Sequence, residues 1–196
     1  MSKGNPHRGV QMQIEIGGYL PGAIGRVVEM HAAYYHRHWG FGLYFEAKVA
    51  TELAEFLGRF DDRRDGFWTL RSGDRVAGSI AIDGLKAATE GAHLRWFIVA
   101  PEVQGSGWGS RLLAEAVSFC DRQAYRRTTL WTFAGLDAAR RLYEASGFRL
   151  LSAQQGERWG ARVGEQCFVR DRDRQDGIIR PEAGNRGDGP SGRSAP

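Results

Sequence analysis

The sequence predicts a mixed α/β fold in which a central, mostly antiparallel β-sheet is flanked by helices. Hydrophobic periodicity gives elements in the order β-α-α-β-β-β-α-β-α-β-β. The early strands are joined by hairpins and the later ones by helices, which is typical of a mixed sheet and not of a fully parallel, doubly wound one. A glycine-rich turn also joins the most apolar strand to an amphipathic helix.

The sequence pattern of the first half of the core predicts an opening strand, two helices and a hairpin. Apolar residues recur every three to four positions over residues 22–35 and 44–60, as on one face of a helix. Strands are predicted over residues 67–70 and 76–82. The segment Ser72-Gly73-Asp74 between them is a typical hairpin turn.

The second half alternates strands with helices. Its most apolar strand covers residues 94–100 and ends at Pro101. The remaining predicted elements are a helix over 110–122, a strand over 129–133, a helix over 137–146 and strands over 148–152 and 165–169. Gly147 follows the second of these helices, where a left-handed residue often ends a helix. Cys120 and Cys167 lie in apolar patterns and are predicted to be small buried residues.

The chain is expected to contain one domain with flexible ends. Residues 13–170 carry the periodic patterns, whereas residues 1–12 are polar and are expected to be flexible. Residues 171–196 are rich in Gly, Pro, Ser and Arg, with Ile178 and Ile179 as their only large apolar residues. Such a segment buries too little apolar surface to offset the entropy of ordering, so a disordered tail is predicted.

Composition excludes several classes of function. Hydrophobic residues make up 42% of the 196 residues and charged residues 26%, as in soluble globular proteins. No run of about 18 apolar residues predicts a membrane span, and the N-terminus lacks a secretory signal, so a cytoplasmic location is expected. The net charge of +4 is scattered, which argues against nucleic-acid binding. No Cys/His cluster has metal-site spacing, so no metal is expected.

The glycine-rich turn is predicted to bind an anion. Backbone N–H groups in a turn containing Gly105, Gly107 and Gly109 can converge on an anion, and the N-terminus of the following helix adds a partial positive charge. A Walker motif would need a Gly-Lys-Ser/Thr segment, which is absent. The dinucleotide fingerprint has a different glycine spacing. An ATP-binding enzyme therefore stays a weaker alternative.

Two motifs carry a resemblance to a known family. The segment Gln104-Gly105-Ser106-Gly107-Trp108-Gly109 resembles the Q/R-x-x-G-x-G/A acetyl-CoA signature of the GNAT superfamily. The segment from Leu142-Tyr143 to Gly147-Phe148 resembles its second hallmark. More narrowly, Leu94-Arg95-Trp96, Leu130-Trp131-Thr132 and Gly164-Glu165-Gln166 resemble the acetyltransferase half of bacterial MarR–GNAT fusion proteins.

The resemblance implies a fold and a reaction. The sheet would be splayed at strands 4 and 5, and acetyl-CoA would be the co-substrate, without a metal. The acetyl group would pass to a primary amine of a small molecule or protein, and a homodimer is possible. The residues that would bind acetyl-CoA are Phe97, Ile98, Val99, Gln104, Gly105, Ser106, Gly107, Trp108, Gly109 and Ser110. The alternative is a catalytically silent module that binds coenzyme A.

The resemblance also suggests catalytic residues. A neutral amine would attack the thioester directly, and a backbone N–H near Val99 would polarise the thioester oxygen. Tyr143 would donate a proton to the departing thiolate, although a tyrosine at helical spacing with Ala139 is also compatible with simple core packing. Leu136 and Asp137 stand where the family often has Asn, and Ala161 where the subfamily often has His. Both departures weaken the roles expected there.

The general base is the least defined part of the predicted site. His31 is the first choice because its pKa suits a base near pH 7, although a histidine on an amphipathic helix often only packs. The other candidates by position are Glu29, Glu46, Asp83 and His93. The aromatic residues between His31 and Phe45 predict an acceptor pocket, a dimer surface or plain core. Arg95 would either pair with an acid such as Glu46 or Asp83 or face the acceptor.

Overall fold

The computed structural model describes residues 13–172. The predicted flexible N-terminus and all but the first two residues of the predicted tail lie outside the described residues. Asp171 belongs to the last strand and accepts from Arg127 and Arg149 at 2.7 and 2.8 Å. The folded unit thus extends at least to the start of the segment predicted as a tail.

The elements follow the predicted order. They are β1 (Ile14–Gly17), α1 (Ala23–Trp39), α2 (Leu43–Gly58), β2 (Gly66–Ser72), β3 (Arg75–Asp83), β4 (Ala92–Val99), α3 (Trp108–Arg122), β5 (Arg127–Phe133), α4 (Asp137–Ala145), β6 (Arg149–Gly156) and β7 (Val163–Asp171). A single 3₁₀ turn over Pro101–Val103 follows β4 and was not predicted. Helix α1 ends four residues later than its periodicity predicted, because the chain leaves the helix only at Gly40, whose φ is 69°.

The strands form one seven-stranded sheet in the order β1-β2-β3-β4-β5-β7-β6. Among the strands of residues 13–172, β4 and β5 form the one parallel pair, and every other neighbouring pair is antiparallel. Helices α1 and α2 pack on each other, and α3 packs against β2, β3 and β4. The predicted mixed, mostly antiparallel sheet with flanking helices is confirmed.

The sheet opens between β4 and β5. The two strands are paired only from Ala92↔Thr128 to Leu94↔Leu130. Beyond these residues β4 continues along β3, and β5 continues along β7. The facing edges of β4 and β5 therefore diverge into a splay, and the backbone groups there have no strand to pair with.

A β-bulge in β4 lies next to the splay. Between the pairs Ser79↔Ile98 and Ala81↔Arg95, one residue of β3 faces two of β4, Trp96 and Phe97, and Trp96 takes a left-handed φ of 49°. The buried hydroxyl of Ser79 donates to the carbonyl oxygen of Trp96 at 2.7 Å, which fixes the extra residue. A bulge bends its strand and increases its twist, and here it bends β4 where the strand leaves β5.

The interior agrees with the sequence patterns. Cys120 and Cys167 are free and buried, as predicted. Burial raises the pKa of the Cys120 thiol to about 11, so it behaves as an inert apolar group. Within residues 13–172, no helix combines the length and apolarity that crossing a bilayer requires.

Candidate active site

Two cavities meet at the splay. The glycine-loop cavity, of about 590 Å³, lies between the end of β4, the turn before α3 and the start of α4. The charged cavity, of about 430 Å³, lies between α2, β4, β5 and the β6–β7 loop. Tyr35 and Phe97 line both cavities, so the two spaces adjoin where β4 and β5 part.

The glycine turn is held in a conformation that leaves donors free. Gly105 and Gly107 have φ values of 75° and 83°, a region where a side chain would be strained. Gly107 is the N-cap of α3, so no side chain caps the helix and the first-turn N–H groups stay available. The amide of Gln104 donates to the Val99 carbonyl at 2.9 Å and ties the turn to the end of β4.

Most of the predicted binding residues come together at the glycine-loop cavity. Those that line it are Phe97, Ile98, Val99, Gln104, Gly105, Gly107, Gly109 and Ser110. Two others do not line it. The Ser106 hydroxyl donates to the Val103 carbonyl at 2.5 Å, and the Trp108 ring lies 4.7 Å from the Arg111 guanidinium. Any contact from these two residues would therefore come from the backbone.

The edge of β4 supplies a further donor. The Ala100 N–H donates to the Ala77 carbonyl of β3. Because successive peptide groups in a strand point in opposite directions, the N–H of Val99 points towards the splay. Val99 lines the glycine-loop cavity, so this N–H is a candidate donor to a ligand bound there.

The start of α4 forms the other wall of the glycine-loop cavity. Residues 135–139 line it, so Leu136 and Asp137 face this space although neither is the asparagine common in the family. Arg141 also lines this cavity. It was not predicted to be a site residue, although the basic pair Arg140-Arg141 beside Tyr143 could have indicated one. Arg140 pairs with Glu144 at 2.8 Å and Arg127 with Asp171, whereas Arg141 has no ion-pair partner in the described chain.

Tyr143 lies at the end of the charged cavity next to the splay. Its side chain is 6% exposed and contacts the rings of Phe97 and Phe168. Within residues 13–172, nothing accepts a hydrogen bond from its hydroxyl, so the proton is available to a ligand. Burial, followed by the nearby Tyr35, raises the pKa of Tyr143 well above its ordinary value.

The comparisons with known proteins agree with this geometry. The model of the acetyltransferase (GNAT) family matches residues 26–148, which include the splay, the glycine turn and α4. The chain belongs to the GNAT acetyltransferase family. It is therefore an acyltransferase, as predicted. None of the curated proteins matches the sequence.

Solved structures share the fold of this GNAT protein. An acetyltransferase from Streptococcus agalactiae is 20% identical, with a TM-score of 0.63, over 82% of this chain and 99% of its own. A GNAT-family protein from Desulfovibrio desulfuricans is 26% identical, with a TM-score of 0.61, over 81% and 99%. The spermidine N-acetyltransferase of Vibrio cholerae, solved with CoA and spermine, is 16% identical, with a TM-score of 0.62, over 82% and 96%.

In this GNAT enzyme, His31 is a buried wall of the charged cavity. Its Nδ1 lies 2.8 Å from the Val27 carbonyl, and because a carbonyl only accepts, Nδ1 carries the proton and Nε2 is left as an acceptor. Burial lowers its pKa to about 4. The ring is neutral at pH 7, and at this pKa it is a weaker base than the sequence suggested.

The charged end of the same cavity is an ion-pair network that the sequence did not predict fully. Arg95 pairs with Glu52 and lies 3.9 Å from Asp83. Lys48 also pairs with Glu52, and Arg59 pairs with Asp83 at 2.5 Å. Glu46, one of the partners proposed for Arg95, is exposed on another face of α2. Arg95 thus pairs with an acid and lines the cavity at once.

The other two candidate bases, Glu29 and His93, differ in whether they line a cavity. Glu29 is exposed and pairs with Arg26 at 2.8 Å, away from both cavities. His93 lines the charged cavity, and burial followed by the positive charge of Arg95 lowers its pKa to about 4. His31 and His93 are therefore both neutral at pH 7.

The aromatic cluster is both core and cavity wall. Its rings pack on one another at centroid distances between 5.1 and 5.9 Å, and its members are Tyr35, Trp39, Phe41, Phe45, Phe133 and Trp159. Phe41 is buried as core, whereas Tyr35, Phe45, Phe133 and Trp159 face the charged cavity. The cavity wall therefore combines aromatic and charged side chains.

Proposed function

We propose that this GNAT enzyme transfers the acetyl group of acetyl-CoA to a primary amine by direct attack of the amine on the thioester. The main support for this proposal is that the two cavities meet at the splay, where Tyr35 and Phe97 line both. One cavity fits coenzyme A and the other an acceptor. Binding both substrates removes most of the entropy that a bimolecular step would otherwise lose at the barrier.

The glycine-loop cavity would hold acetyl-CoA. The free N–H groups at the start of α3 and the glycine turn suit the pyrophosphate. The unpaired edge of β4 at Val99 suits the amides of the pantetheine arm and places a donor near the thioester oxygen. A donor of this kind contributes roughly 3–4 kcal/mol to transition-state stabilisation at typical sites.

The charged cavity would receive the amine. An ammonium loses its proton more easily in surroundings that disfavour cations, and the lowered pKa values of His31 and His93 show such surroundings. The aromatic side chains of the cavity wall would thus favour the neutral, nucleophilic amine. His31 Nε2, which is left as an acceptor, would take the proton that the attacking amine loses.

Tyr143 would act on the leaving group. Its hydroxyl has no protein acceptor in the described chain and lies in the cavity that adjoins the thioester site. It would donate a hydrogen bond to the thiolate of coenzyme A as the carbon–sulfur bond breaks. A cytoplasmic location and a homodimer, both expected from the sequence, stay predictions.

A thiol-release assay with acetyl-CoA tests this function. The acceptors are a panel of amino acids, small amines, and peptides with a free lysine or N-terminus. We expect thiol release that depends on one acceptor class, with the acetylated product seen by mass spectrometry. Protection against heat by acetyl-CoA without any turnover would instead favour a silent binding module. If acetyl-CoA gives neither turnover nor protection, the coenzyme A assignment is wrong.

A further inference from the structure

One arginine of the charged cavity differs from the others. Arg59 and Arg95 each pair with a carboxylate through their outer nitrogens. Arg158 instead approaches Glu165 through Nε, at 3.4 Å, and its two outer nitrogens have no partner in the described part of the chain. A free outer edge of a guanidinium is the geometry that binds a carboxylate through two parallel hydrogen bonds.

The position of Arg158 is fixed by its surroundings. Its guanidinium lies 3.9 Å from the centroid of the Trp131 ring. Its backbone N–H donates at 2.8 Å to Glu165, whose side chain is 4% exposed. Gly156 makes room for that carboxylate, because a Cβ there would come within 2.3 Å of it. These contacts orient the Arg158 side chain, which is 41% exposed, and leave its outer nitrogens open to a ligand.

The loop that carries Arg158 is anchored on both sides. The neighbouring Trp159 packs on Phe133 at 5.2 Å in the aromatic cluster. Gly160, whose φ is 79°, lies against Tyr44 so closely that a Cβ would approach that ring to 2.4 Å. A preformed donor pair of this kind loses little entropy when it binds an anion.

Arg158 also lies close to the reaction point. Trp131, on which it stacks, directly follows Leu130, the last residue of β5 that pairs with β4. Arg158 lines the same cavity as Tyr35 and Phe97, the two residues at the junction with the glycine-loop cavity. One small molecule can therefore reach the junction with an amine and Arg158 with an acidic group.

We infer that the acceptor is a monoamine that carries a carboxylate, and that Arg158 binds this carboxylate through its outer nitrogens. The inference rests on the proposed function for the role of the amine, but the carboxylate site is a separate claim about Arg158. A polycationic acceptor fits less well, since the four cationic side chains that line the cavity, Lys48, Arg59, Arg95 and Arg158, outnumber its two lining carboxylates, Glu52 and Glu55. The lowered pKa values of His31 and His93 agree with this.

The test compares acceptors that differ only in the carboxylate. Each amino acid of the panel is assayed beside its amide and its decarboxylated amine, with spermidine as a polycation. We expect the free acid to have a kcat/KM at least about tenfold higher than the matching amide or amine. In Arg158→Met, kcat/KM for the acids should fall about 10- to 100-fold, mainly through KM, while values for amides and amines change less than about threefold.

Two further variants separate recognition from structure. Arg158→Lys keeps the charge but loses the planar fork, so an intermediate effect on the acids is expected. Arg162→Met changes an exposed arginine of the same loop that does not line the cavity and should match the wild type. Unfolding temperatures of all three variants show whether the fold is kept.

A binding measurement distinguishes this inference from the proposed function. Heat protection by the carboxylate-bearing amines is measured for wild type and Arg158→Met, with and without CoA. Protection that needs Arg158 supports the inference even if no acetyl transfer occurs. The inference is overturned if amides or polyamines are the better acceptors, if Arg158→Met treats acids as the wild type does, or if no carboxylate-bearing amine is acetylated or bound.

Discussion

Tyr143 belongs both to the core and to the wall of the charged cavity. Its ring contacts Phe97 and Phe168 in the core, while its hydroxyl faces the cavity without a protein acceptor in the described chain. Its raised pKa keeps the proton on the oxygen at every pH at which the enzyme would work. The residue can therefore donate a hydrogen bond to a thiolate but cannot act as a base.

Tyr143→Phe isolates the hydroxyl from the ring. We expect kcat to fall at least about tenfold with little change in the KM for acetyl-CoA, because the lost contact forms only as the thiolate leaves. Thiol-release kinetics measure both constants. Tyr19→Phe, at an exposed tyrosine, is the matched control. A kcat within about twofold of the wild type would leave Tyr143 with packing alone.

The turn between β4 and α3 acts as one element. Gly107 is the N-cap of α3 and has a φ of 83°, and a Cβ there would meet nothing within 4 Å. The glycine is thus required for its backbone conformation and for the free N–H groups beyond it, not for lack of space. The order strand, turn and helix places this turn at the wall of the glycine-loop cavity.

Gly107→Ala tests the conformation of the turn. A left-handed alanine costs roughly 1–2 kcal/mol. If the turn keeps its conformation, we expect the free energy of unfolding to fall by about that much. If the turn relaxes instead, we expect it to bind acetyl-CoA roughly tenfold less tightly. Thermal unfolding with and without acetyl-CoA measures both effects. Gly58→Ala, at a glycine of α2 with ordinary φ and open space, is the control. Unchanged stability and affinity in Gly107→Ala would contradict this role.

Because His31 is buried, the stability of the whole fold depends on pH. The pKa of His31 is about 4 in the folded protein, against 6.5 for an unperturbed histidine. Between these values the unfolded chain binds more protons than the folded one, so the free energy of unfolding falls as the pH falls. The stability that depends on neutral His31 is complete above about pH 6.5 and is lost as the pH approaches about 4.

His31→Gln should flatten this dependence. Between pH 7 and pH 4, the free energy of unfolding should fall in both proteins. We expect the fall in the wild type to be about 3 kcal/mol larger than the fall in the variant. Denaturant unfolding at a series of pH values measures the difference. His38→Gln, at an exposed histidine, should follow the wild-type curve. Parallel curves for His31→Gln and the wild type would show that His31 is not the titrating group.

The sequence by itself determined the elements, their order and the glycine turn. These are local properties, because apolar periodicity and left-handed glycines such as Gly107 and Gly147 act within a few residues. The length of α1 was underestimated because the run from His36 to Trp39 lacks a regular apolar period yet stays helical up to Gly40. The family resemblance, not the periodicity, predicted the splay.

Only the tertiary structure decided the partners of the charged side chains. Arg95 was expected to pair with Glu46 or Asp83, but its main partner is Glu52, 43 residues away in the chain. Arg158 on Trp131 had no sequence signal, because the β6–β7 loop reaches β5 only after the sheet has formed. Partners that are distant in the chain depend on how the elements pack, so the anion site of the charged cavity could be inferred only from the fold.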